Sequence, residues 1–179
     1  MKSREGERTI RVSTFARQAV LALGSQTKNT VCLFTGNTAR ISPIHNNLLF
    51  PEDFQGFEKE VRCLLRKKPG IIACDMHRDY QSTQYAYTQL ALRFPLVPVQ
   101  HHHAHIVSCM AENGIANKKV IGVAFDGTGF GVDNTLWGAE FLICDYRSFE
   151  RRGHLREVPL IGAEKAIHEP WRLAAAWLF

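Results

Sequence analysis

Val120-Ile121-Gly122-Val123-Ala124-Phe125-Asp126-Gly127-Thr128-Gly129-Phe130-Gly131 decides the fold, because it restarts a pattern that the chain has already run through once. Residues 120–125 read as a strand, 126–133 as a glycine-rich turn, 136–144 as a second strand, 154–158 as a third and 163–179 as a helix. Upstream, residues 20–23 read as a strand, 24–29 as a turn, and 30–34 and 39–41 as two more strands around Gly36 and Asn37. An amphipathic helix is expected over 52–67, with Phe54, Phe57, Val61, Leu64 and Leu65 on one side and Pro69-Gly70 stopping it. A buried strand at 71–74, a helix from 79 or 80 to 93, a strand at 96–99 and a helix at 101–112 complete the unit. The predicted order is βββαβαβα, followed by a second start.

Alternation of strand and helix after an opening meander predicts a mixed sheet with helices on its faces. The order matches a ribonuclease H-like unit. Its repetition matches the α/β superfold of actin, sugar kinases and heat-shock ATPases, in which two duplicated lobes face each other across a nucleotide cleft. The expected organisation is a disordered basic arm or linker remnant over 1–18, a complete first lobe over 19–118, and the start of an incomplete, truncated second lobe over 119–179.

Composition narrows the function classes. The 179 residues are 45% hydrophobic, enough for one good core and the beginning of a second. No apolar run approaches the roughly 18 residues of a membrane span, and the polar N-terminus shows no signal peptide. Cytoplasmic location and no membrane partner are therefore expected. Cys32, Cys63, Cys74, Cys109 and Cys144 are scattered without a CxxC pair and read as reduced structural thiols. The formal net charge of +5 is uneven, with Lys2, Arg4, Arg8, Arg11 and Arg17 set against Glu5 and Glu7 before residue 18. A basic arm without a folded face of interleaved aromatics argues against a nucleic-acid partner.

Two stretches carry chemistry. Gln100-His101-His102-His103-Ala104-His105 follows a strand, and one helix turn places His101 and His105 on the same face, where two neutral imidazoles can chelate one divalent ion. A zinc-peptidase reading fails, since His102 stands where that motif needs its glutamate base. His102 and His103 point elsewhere. In 126–131 three glycines let backbone N–H groups approach an anion, and the leading Asp126 is placed to hold a cation. The candidate metal ligands are thus His101, His105 and Asp126. The candidate cofactor-binding residues are Lys28, Gly127, Thr128, Gly129 and Gly131, and the candidate catalytic residues are Lys28 and Asp126. A solvated helix start, a ligand-free glycine hairpin and an ordinary turn lysine are the plainer readings of the same residues.

Several motifs in order carry a family resemblance: LALG-x-x-x-KNT-x-C over 21–32, ACD-x-H-x-DY-x-ST over 73–83, VPVQHHHAHI over 97–106, DGTGFG-x-D-x-TLWG over 126–138 and EPWR over 169–172. From about Leu21 onward the chain resembles the C-terminal, Kae1-like carbamoyltransferase region of the hydrogenase-maturation protein HypF. The resemblance implies transfer of a carbamoyl group from carbamoyl-adenylate, made from carbamoyl phosphate and ATP, to the C-terminal cysteine of HypE in [NiFe]-hydrogenase maturation. It also implies a divalent metal (zinc, iron or magnesium) held by His101, His105 and Asp126. The family's adenylate-forming domain is absent from the sequence, so activity is expected only with complementing HypF segments. A non-catalytic, truncated remnant that binds a metal or a partner is the alternative. Self-association is a further expectation, through the apolar helix at the C-terminal end.

Overall fold

The computed structural model describes residues 6–163 and 165–178. Strands β1 (Arg8–Ala22) and β2 (Cys32–Ile41) form an antiparallel ribbon. They are followed by α1 (Pro51–Leu65), β3 (Ile71–Asp75), α2 (Gln81–Tyr85), which runs on as a π-helical turn over Ala86–Leu90, β4 (Leu96–Val99) and α3 (His101–Glu112). The first sheet has the order β2-β1-β3-β4, with β3 parallel to both of its neighbours. A second, antiparallel sheet is built from β5 (Val120–Phe130), β6 (Leu136–Cys144) and β7 (Phe149–His154), and α4 (Lys165–His168) and α5 (Trp171–Leu178) follow it.

The first core fills the space between the sheet and helices α1 and α2, with Leu21, Leu33, Phe57, Val61, Ile72 and Leu90 buried in it. Each such side chain contributes about 1.5–3 kcal/mol of apolar burial. Helix α3 leaves the first sheet at β4, yet its apolar face, Ile106 and Met110, packs with Ala124, Trp137 and Leu142 of the second sheet. This one helix therefore joins the two units. Gly122 of β5 faces Ile106, where an added Cβ would collide with the isoleucine side chain. The missing side chain lets helix and strand approach.

Several expectations are corrected. Residues 8–17 are not a disordered arm but the first half of β1, paired with 36–41 of β2 through registers such as Ile10↔Ala39 and Ala16↔Gly36. The expected strands at 30–34 and 39–41 are one strand, β2. Gly36, at φ +60, absorbs an irregularity opposite Ala16 rather than making a turn. The glycine-rich stretch 126–130 is strand, and the reversal comes at 131–135, where Gly131 N donates to Thr135 O at 2.8 Å. The third strand lies at 149–154, not 154–158. The expected helix over 163–179 is two helices, because the residue before Pro170 is driven out of the helical region, while proline itself suits a helix start. Glu164 and Phe179 of that helix lie outside the described residues.

Candidate metal centre

Gln100 starts the helix that carries the histidines. It sits in extended conformation before α3, and its Oε1 accepts from His103 N at 2.9 Å, which satisfies one of the free N–H groups at the helix start. Its Nε2 donates to Phe130 O at 3.2 Å and so ties the helix start to β5. From this start His101 and His105 rise on one face, four residues apart, with their Nε2 atoms 3.1 Å from each other. Asp126 arrives from β5. Its Oδ2 lies 2.9 Å from His101 Nε2 and 3.5 Å from His105 Nε2.

Asp75, at the C-terminal end of the parallel strand β3, fixes His101 from behind. Its Oδ2 lies 2.7 Å from His101 Nδ1, and its Oδ1 accepts from His77 N at 2.8 Å. A proton on Nδ1 leaves Nε2 with its lone pair toward His105 and Asp126, the arrangement by which a carboxylate orients a metal-ligating imidazole. Burial opposes the charged form of His101, but the close carboxylates of Asp126 and Asp75 outweigh it and push its pKa up to about 9. In turn His101 and His105 hold the Asp126 carboxyl well below the usual carboxylate range.

These donors fit a divalent ion. Tetrahedral ligands with bonds of about 2.1 Å lie about 3.4 Å apart, and the three separations here are 3.1, 2.9 and 3.5 Å. Asp126 Oδ2 is buried without a well-aligned hydrogen bond among the described residues, despite the two nitrogens beside it. A buried carboxylate oxygen and two imidazole nitrogens converging on one point want a shared cation.

The other two histidines of the cluster clamp the units together. His102, fully buried, donates from Nε2 to Gly138 O of β6 at 3.1 Å and accepts at Nδ1 from Gln100 Nε2 at 3.1 Å. His103 Nε2 donates to Asp145 O at 2.7 Å. Gly129 is buried against His102 and His101, and a Cβ there would come within 2.6 Å of His102 Cε1 and 3.0 Å of His101 Cβ. A Cβ at Gly131 would strike Trp137 and Asp133. Both glycines therefore serve packing and do not reach the cleft.

Lys28, Gly127 and Thr128 do. With Tyr80, His101, His105 and Asp126 they line a cavity of about 470 Å³ between the 24–29 turn and β5. Lys28 takes a left-handed φ of 48° in this turn, and Gln26 Oε1 accepts from Gln81 N at 2.7 Å to pin the turn to α2. The structure thus brings Lys28, His101, His105, Asp126, Gly127 and Thr128 around one cleft. It adds Asp75 and Tyr80, which sequence reasoning missed. An aspartate closing a parallel strand was the available signal for Asp75, since ligands in α/β sheets gather at the carboxyl ends of the strands.

A helix with two histidines four apart, joining two α/β units across a cleft, fits the Kae1-like class. Residues 15–112 match the family described as HypF Kae1-like domain, and residues 122–179 match Carbamoyltransferase, Kae1-like Domain, second subdomain. The chain belongs to the HypF carbamoyltransferase family. It is 44% identical over 165 residues to Carbamoyltransferase HypF2 of Cupriavidus necator, covering 89% of this chain and 20% of that one. It is 39% identical to Carbamoyltransferase HypF of Synechocystis, covering 91% and 21%. A crystal structure of full-length HypF in the phosphate- and nucleotide-bound form superposes with a TM-score of 0.87 at 42% identity, over 95% of this chain and 22% of that one. The chain thus spans about a fifth of these relatives.

Proposed function

We propose that this chain is the metal-holding part of a carbamoyltransferase that passes a carbamoyl group from carbamoyl-adenylate to the C-terminal cysteine thiol of HypE. The observation that carries the reading is the convergence of His101, His105 and Asp126 with Lys28, Gly127 and Thr128 on one cleft of about 470 Å³. A divalent ion held by His101, His105 and Asp126 supplies Lewis acidity toward phosphate and carbamoyl oxygens. Lys28 neutralises the phosphate of the adenylate, Thr128 lines the same wall, and Gly127 N–H donates to Asp126 Oδ1 at 2.7 Å and steadies that carboxylate. The acceptor thiolate attacks the carbamoyl carbon, a C–S bond forms, the C–O bond to phosphate breaks, and AMP leaves with the electron pair. No nucleophile from this chain is required.

Exposed apolar surface supports work with complementing HypF segments. In the second unit β5 is an edge strand whose Ile121 and Phe125 are exposed, as are Trp171, Trp177 and Leu178. The same apolar surface favours self-association of the isolated chain. All five cysteines are free and no helix among the described residues is long and apolar enough to cross a membrane, which suits a reducing, cytoplasmic setting. The test is carbamoylation of HypE, followed by mass spectrometry of its C-terminal peptide, with the HypF segments outside this chain supplied in trans. Label on the cysteine that depends on this chain, and is lost with His101→Ala, is expected. Label that forms equally without this chain contradicts the reading and leaves a metal- or partner-binding module.

A further inference from the structure

The geometry points to Tyr80 as a catalytic residue, its hydroxyl donating a hydrogen bond to the carbonyl oxygen of the carbamoyl group. The inference rests on the carbamoyl-transfer reading above and assigns one atom of this chain to one atom of that substrate.

Tyr80 belongs to the wall of the cleft that also holds Lys28, His101 and Asp126. Its ring is held firmly from one side. His77 stacks on it with centroids 4.3 Å apart and planes 5° from parallel, and His77 is braced by Phe130 at 5.4 Å and by its N–H to Asp75. The backbone is fixed as well, since Tyr80 precedes α2 and the neighbouring Gln81 N donates to Gln26 in the Lys28 turn. No described residue receives a hydrogen bond from the Tyr80 hydroxyl. The fold uses the ring and leaves the O–H to a ligand.

The charges of the cleft say which part of the ligand. Lys28 and the divalent ion that His101, His105 and Asp126 would hold take the phosphate. The neutral phenol of Tyr80, on the same wall and stacked on the His77 that Asp75 holds, is left the neutral carbamoyl end, whose C=O accepts from it. As the thiolate attacks, negative charge grows on that carbonyl oxygen. A donor already fixed in place strengthens its bond at that moment without reorganising.

Carbamoyl phosphate retains both the carbamoyl and the phosphoryl end of the adenylate, so it serves as the probe, with inorganic phosphate as its control, both titrated into the zinc-loaded chain. Tyr80→Phe keeps the stacked ring and should bind zinc and inorganic phosphate as the wild type does, while carbamoyl phosphate weakens by about 3- to 10-fold. In the complemented transfer assay the same variant should lose about 10²- to 10³-fold in kcat with little change in KM. Tyr80→Phe that keeps the full wild-type preference for carbamoyl phosphate, or loses both anions in parallel, overturns the assignment. A wild-type chain that binds zinc and phosphate but shows no preference for carbamoyl phosphate overturns the carbamoyl reading itself, and the role of Tyr80 with it.

Discussion

Loading the chain with a divalent ion should release a proton and strengthen steeply with pH, because His101 sits between two carboxylates. Without the ion its pKa is pushed up to about 9, from an ordinary 6.5, by contacts of 2.9 Å to Asp126 and 2.7 Å to Asp75. A metal needs the Nε2 lone pair, so the proton must leave, and at pH 7 only about one ring in 100 has lost it. Between pH 6.5 and 8.5 the observed affinity should rise about 80-fold, against about twofold for an imidazole of ordinary pKa. Calorimetry at several pH values, in pairs of buffers with different ionisation enthalpies, gives both the affinity and the protons released. Asp75→Asn keeps an acceptor beside Nδ1 but removes its charge. It should flatten the pH curve and weaken zinc by about 10- to 100-fold. Affinity that is level above pH 7.5 in the wild type would refute the carboxylate-clamped imidazolium. Stability has the opposite sign in the metal-free chain. A folded pKa raised to about 9 contributes fully below pH 6.5 and is lost as pH climbs toward 9, so the thermal midpoint should fall across that window.

The remaining predictions concern the supports of the site. His102→Ala should cost about 2–4 kcal/mol in urea unfolding, since it empties a fully buried position and strands the Gly138 carbonyl. His105→Ala, at a ring 58% exposed, should leave the unfolding curve nearly unchanged while abolishing tight zinc binding in a competition assay. Arg151→Ala should destabilise by about 3–5 kcal/mol, because Glu140, 1% exposed, loses its bidentate partner at 2.6 and 2.9 Å, and adding Glu140→Gln should recover part of the loss. Phe125→Lys, on the exposed edge strand β5, should shift sedimentation profiles toward monomer if that edge drives self-association.

The strands of the first sheet and the convergence of His101 with His105 were legible because each rests on a local pattern: apolar runs of strand length at 71–74 and 96–99, and histidines four apart just after a strand. The first half of β1 was not. It forms a two-stranded ribbon with β2 that runs past β3, so of residues 8–17 only Val12 is buried and the alternation of Ile10, Val12, Thr14 and Ala16 is too weakly apolar to mark a strand. The polar edge strand β7 was misplaced for the same reason, as its FERRGH segment carries no fully buried residue. The glycines of β5 misled in another way. Turn chemistry is their usual meaning, but Gly122 and Gly129 are glycines so that Ile106 and His102 of α3 can approach the strand. Asp75 and Tyr80 became site residues only through the parallel pairing of β3 with β4, which brings residues 26 and 21 positions before His101 to its side.

The central claim is that His101, His105 and Asp126 hold one divalent ion. The most direct measurement is anomalous diffraction from crystals of the chain grown with zinc. One peak is predicted within about 2.0–2.2 Å of His101 Nε2, His105 Nε2 and Asp126 Oδ2, absent from crystals of His105→Ala. A fully ordered cleft without a peak, or a peak held by other residues in both proteins, would contradict the account.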